Sequence, residues 1–72
     1  MSKTTTAAYL LGISEGRQFL RNYGPFNAQE MQSILDNCNK CCALNHPDSE
    51  LGQAAIGERD FWQLQVRKDR KA

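Results

Sequence analysis

The sequence predicts an all-α fold, an antiparallel helical hairpin followed by a third, C-terminal helix, in a chain that self-associates. Three observations predict it. Two stretches separate apolar from polar residues with a helical period. Two breaks, Gly24-Pro25 and Asn45-His46-Pro47-Asp48, divide the chain into three segments. The 72 residues form a single small domain, a size at which only about 60% of the unfolded chain's surface becomes buried. Such a domain needs a further source of stability. Three cysteines, an odd number, do not make a disulfide framework, so self-association is the expected source.

The first helix is expected over about 5–22. Within TAAYLLGISEGRQFLRNYG, residues Tyr9, Gly12, Ile13, Gly16, Phe19, Leu20 and Tyr23 gather on one stripe. Ser14, Glu15, Arg17, Gln18, Arg21 and Asn22 fall on the other side. The rival reading is a helix-turn-helix over residues 6–21. Ala8, Gly12 and Ile13 suit its early positions, but its later core positions fall on the polar Gln18 and Arg21. One unbroken helix is therefore expected. A glycine inside it costs up to about 1 kcal/mol relative to alanine, so two glycines on the packing face imply a close helix crossing. Leu11, with Ala7 beside it, lies almost opposite that stripe.

The second helix is expected over about 28–44. Gly24 suits a left-handed C-cap and Pro25 a stop. Asn27 with Glu30 then forms a capping box, with Phe26 and Met31 in staple positions. Met31, Ile34, Leu35, Cys38, Cys41 and Cys42 share one face. The short connection folds the two helices stripe against stripe, with Gly12, Gly16, Ile34 and Cys38 as packing residues and the larger side chains of the second helix over the two glycines.

The third helix is expected over about 49–66. Asn45 is read as a left-handed terminal residue, Pro47 as a stop, and Asp48 or His46 as the opening residue. Trp62, Leu64 and Val66 alternate with polar residues as a strand would, but no second strand is available for pairing, so helix is expected. Residues 67–72, RKDRKA, read as a basic tail. This segment carries more large apolar residues than one face can bury. Leu11, Phe61, Trp62, Leu64 and Arg67 are therefore the candidate partner-binding residues, since aromatic residues flanked by Arg anchor interfaces.

Composition excludes several classes of function. Nine Lys and Arg against eight Asp and Glu give a net charge of +1, which supplies no global attraction for nucleic acid or anionic membrane. No run of about 18 apolar residues is present to span a bilayer, and the apolar stretch near the N-terminus is short for a signal peptide. The expected compartment is the cytoplasm. CNKCCALNH holds three cysteines and a histidine, but one regular helix cannot turn them toward a single tetrahedral point, so neither metal nor other cofactor is expected. No phosphate loop, HExxH or GxSxG motif is present, and no enzymatic activity is expected. Arg59, Arg67, Lys68, Arg70 and Lys71 with Phe61 and Trp62 suggest a nucleic-acid strip, diluted by Glu58, Asp60 and Asp69. A DNA-binding regulator using residues 6–21 and the basic tail is the alternative reading.

In its size, in AAYLLGISEGR and in AQEMQSILDNC, the chain resembles the small accessory proteins encoded in the early regions of lambda-like temperate phages. The resemblance implies a short, helical, non-enzymatic protein of the host cytoplasm. It implies a regulator or inhibitor that binds a host or phage protein.

Overall fold

The computed structural model describes the backbone of residues 7–71 and the side chains of residues 7–69. Three helices make up the fold: α1 (Ala7–Tyr23), α2 (Ala28–Leu44) and α3 (Glu50–Lys71). Residues 5 and 6, expected to begin the first helix, lie outside the described residues, as does Ala72. Residues 6–21 were the rival helix-turn-helix; their described part is continuous helix with no turn at Gly12 or Gly16.

The Asn27 side chain accepts the Glu30 amide at 2.8 Å while the Glu30 carboxylate accepts the Asn27 amide at 2.9 Å. These bonds satisfy two of the donors that a helix start leaves unpaired. Phe26 packs against the core cluster that contains Met31, which ties the entering chain to α2. Gly24 departs from expectation. No described glycine has a positive φ, and the Gly24–Pro25 peptide is cis. Its amide donates to the Leu20 carbonyl at 2.8 Å, prolonging the helical ladder rather than reversing it. A Cβ at Gly24 would approach the Leu20 side chain to 2.8 Å, so close contact is what calls for glycine here.

Asn45 is likewise extended (φ −115°, ψ 144°) and not left-handed. Its backbone amide and its side-chain amide both donate to the Cys41 carbonyl, at 3.2 and 2.8 Å, which closes α2 without a left-handed residue. The cap of α3 is Ser49, not Asp48 or His46. The Ser49 hydroxyl accepts the Gly52 amide at 3.0 Å and donates to the His46 carbonyl at 2.7 Å. His46 Nδ1 accepts the Asp48 amide at 3.1 Å, and the buried Gln53 side chain donates to the Pro47 carbonyl. Cap and loop thus form one hydrogen-bonded unit. α3 then continues through Arg67–Lys71, where a tail was expected, because that run contains neither Gly nor Pro to end a helix.

The helices are not arranged as a direct hairpin pair. α1 and α2 each pack on α3 and make no close backbone approach to one another among the described residues. α1 runs parallel to α3, since Gly12 lies on Ala54 while Gly16 lies on Phe61 and Trp62. α2 runs antiparallel to it, with Leu35 beside Val66 and Cys38 beside Glu58. The glycines of α1 therefore accommodate α3 rather than α2. The contact is reciprocal, because a Cβ on Gly12 would lie 2.9 Å from the Ala54 carbonyl carbon and one on Gly57 would lie 3.0 Å from that of Tyr9. Tyr9 secures the crossing by donating its hydroxyl to Asp60 at 2.8 Å, and Arg59 donates to the same carboxylate at 3.0 and 3.2 Å.

Met31 and Leu35 of α2 meet Phe61, Trp62 and Val66 of α3 in the core, flanked by Ile13, Leu20, Phe26, Ile34 and Cys38. Trp62 is its centre at 1% exposure. Its ring meets Phe61, Phe26 and Phe19 edge-on, with centroids 5.1, 5.8 and 6.2 Å apart, the geometry that aromatic quadrupoles favour. The period-two alternation is resolved by helix geometry. Trp62 and Val66, four apart, are both buried, while Leu64 turns outward at 46% exposure.

Candidate protein-docking groove

Seating two helices side by side on a third leaves a channel between them wherever their side chains do not close the gap. Here that channel is a groove of about 400 Å³. Glu15 and Phe19 of α1 form one wall, Ile34, Asn37 and Cys38 of α2 the other, and Glu58 and Trp62 of α3 the floor. Phe19 is 41% exposed, although it stacks on Phe26 at 5.6 Å and touches Tyr23 at 4.9 Å.

The electrostatics of the groove are one-sided. Burial pushes the Glu58 carboxyl above the usual carboxylate range, and the negative charge of Glu15 adds to the shift. Burial also raises the Cys38 thiol to about 11, with repulsion from Glu58, Cys41 and Cys42 adding to it. Both effects disfavour further negative charge. Among the described residues neither Glu15 nor Glu58 has an ion-pair partner. A second cleft of about 400 Å³ lies at the opposite end of the bundle, where Ala7, Ala8 and Leu11 face Asp48, Glu50 and Gln53.

The expected site residues divide sharply. Phe61 and Trp62, expected at a partner interface, are 8% and 1% exposed and belong to the core; three helices converge on them, which no single-helix pattern reveals. Leu11 (56%) and Leu64 (46%) are exposed, as is Arg67. Gly12 and Gly16 are buried against α3, and Ile34 and Cys38 pack on the core while also lining the groove. Of the three cysteines expected on one face, Cys38 and Cys42 are half-buried whereas Cys41 is exposed. No group of three His, Cys, Asp or Glu among the described residues is placed to hold a metal ion. No helix among them is long and apolar enough to cross a membrane. Sequence reasoning missed Glu15 and Glu58 as site residues. Each looked like an ordinary solvent-facing charge, and their common groove exists only because α3 brings α1 and α2 alongside each other.

Comparison of the chain with protein-family models, with curated proteins and with solved structures returned no significant match.

Proposed function

We propose that this chain is a non-enzymatic protein-binding module, a small regulator or inhibitor acting on a host or phage protein in the cytoplasm, and that it self-associates. One observation carries the reading: much of its large apolar surface is left outside its own core. Among the described residues six hydrophobic residues are buried and Ile13, Leu20, Phe26, Ile34 and Cys38 pack half-buried on that core, while seven large ones remain exposed, Leu10, Leu11, Phe19, Tyr23, Leu44, Leu51 and Leu64. Part of this surface is gathered rather than scattered, since Leu11 lines one cleft with Ala7 and Ala8 and Phe19 lines another with Ile34, and gathered apolar surface supports an interaction role. The DNA-binding alternative has less support. The described part of residues 6–21 is one continuous helix with no turn, and in the separate aromatic and basic strip Phe61 and Trp62 are buried and Arg59 is engaged by Asp60 at 3.0 Å.

The test is photo-crosslinking from position 11 in a bacterial lysate, with sedimentation of the purified chain in parallel. A discrete cross-linked partner or a dimer, weakened by Leu11→Glu, is the expected result. A strict monomer that captures nothing from position 11, or from any other exposed apolar position, would overturn the reading.

A further inference from the structure

We infer that the groove between α1 and α2 is the seat of an α-helix from a partner protein, which inserts an apolar side chain between Phe19 and Ile34 and places a lysine or arginine against Glu15 and Glu58. The inference rests on the protein-binding reading and adds the place and chemistry of the contact. Its geometry is that of an incomplete bundle. Two helices flank the groove and a third forms its floor, so an occupant lying along it meets side-chain ridges on both sides, the surface into which another helix packs. An extended strand would find no unpaired backbone edge there, because the walls are helices whose backbone bonds are internal.

Charge selects the occupant. The walls and floor are Phe19, Ile34, Cys38 and Trp62, relieved only by the neutral Asn37 and by two carboxylates that lack a cationic partner among the described residues. Glu58 is half-buried beside the floor and feels the charge of Glu15. A cation set between them replaces a repulsion by two attractions in a partly desolvated place, where such contacts discriminate most strongly between partners. An acidic helix of the same shape would add a third like charge. The second cleft, beside Leu11, also carries two carboxylates, Asp48 and Glu50, but both are exposed, whereas Glu58 in the groove is half-buried.

The test uses the full chain and two peptides of about 15 residues, near the length at which an isolated helix becomes marginally stable in water. One is an Ala/Leu/Lys amphipathic helix with lysines one turn either side of a central leucine; the other carries glutamates in place of the lysines. Binding is followed by NMR at the Trp62 indole and at the Asn37 and Cys38 amides. The cationic peptide is expected to shift these resonances and the acidic one to leave them unchanged. Glu15→Lys, a change at an exposed position, is expected to weaken the cationic peptide about tenfold or more and to admit the acidic one. The inference is overturned if both peptides bind alike, if neither reaches the groove, if Glu15→Lys has no effect, or if the groove resonances move with protein concentration alone, which would assign the seat to a second copy. Photo-crosslinkers at positions 37 and 11 separate its failure from that of the broader reading. Capture from position 11 but not 37 refutes the groove alone, whereas a strict monomer with no capture from 37, from 11 or from any other exposed apolar position refutes both.

Discussion

Replacing Gly12 with alanine sets two physical effects of opposite sign against each other. Inside a helix the change is worth about 1 kcal/mol in favour of alanine, so an isolated α1 would be strengthened. In the folded chain the new methyl carbon would stand 2.9 Å from the carbonyl carbon of Ala54 and 3.1 Å from its Cα, and closer still to the carbonyl oxygen. These are backbone atoms with no rotamer to yield, so the two helices must separate by roughly an ångström or more before the contact, that with the carbonyl oxygen above all, is ordinary. Overpacking of this kind costs about 1–3 kcal/mol, and here the upper end applies because the Tyr9–Asp60 hydrogen bond and the Gly57 contact span the same crossing. The net expectation is a loss of about 1–2 kcal/mol, a fall in melting temperature of roughly 5–15 °C for a domain of this size. Thermal melts followed by circular dichroism measure it, with Ser14→Ala on the exposed face as the control for propensity. Gly16→Ala should cost less, since its nearest neighbour is the Phe61 ring at 2.8 Å, which can tilt. A Gly12→Ala variant melting at or above wild type would refute the close crossing.

Three further outcomes follow from the same structure. Trp62→Ala should cost about 3–5 kcal/mol, enough to leave so small a domain largely unfolded by circular dichroism; a variant with wild-type stability that loses only partner capture would return Trp62 to the surface. Alkylation by iodoacetamide near neutral pH, read by peptide mass mapping, should modify the exposed Cys41 well before Cys38, whose thiol is half-buried and raised to about 11; equal rates would contradict the packing of α2 on α3. Glu58 is protonated more readily in the folded chain than in the unfolded one, so its contribution to stability is fully present below the unfolded value of about 4.3 and is lost as pH rises through the folded one. Glu58→Gln should therefore melt above wild type at pH 7, with the difference closing in acid; a constant difference across that range would rule out titration of Glu58 as its source.

What the sequence determined by itself is local. A cap needs only the residues three apart that exchange hydrogen bonds, so Asn27 and Glu30 specify the start of α2, and both bonds are present. A helical stripe needs only periodicity, so the burial of Gly12, Gly16, Met31 and Leu35 is legible before any fold is known. The caps that rest on longer hydrogen-bonded loops are not legible in this way. Ser49 caps α3 through a network that also holds His46, Pro47 and Gln53, and no single residue type announces it.

The tertiary structure decided which stripe meets which. A periodic pattern says that a face is buried but is silent on its partner, and a short connection makes the neighbouring helix the natural choice. Here Gly12 and Gly16 wait instead for Ala54, Phe61 and Trp62 of α3, far along the chain on the other side of α2. The reason is steric reciprocity. Gly12 on α1 and Gly57 on α3 let two backbones approach at one crossing, which a helix without a matching glycine cannot do, and α2, Ala28–Leu44, contains none. Once α3 takes that place it draws Trp62 and Phe61 into the core, and it holds α1 and α2 apart so that Glu15, Phe19, Ile34 and Glu58 face one groove.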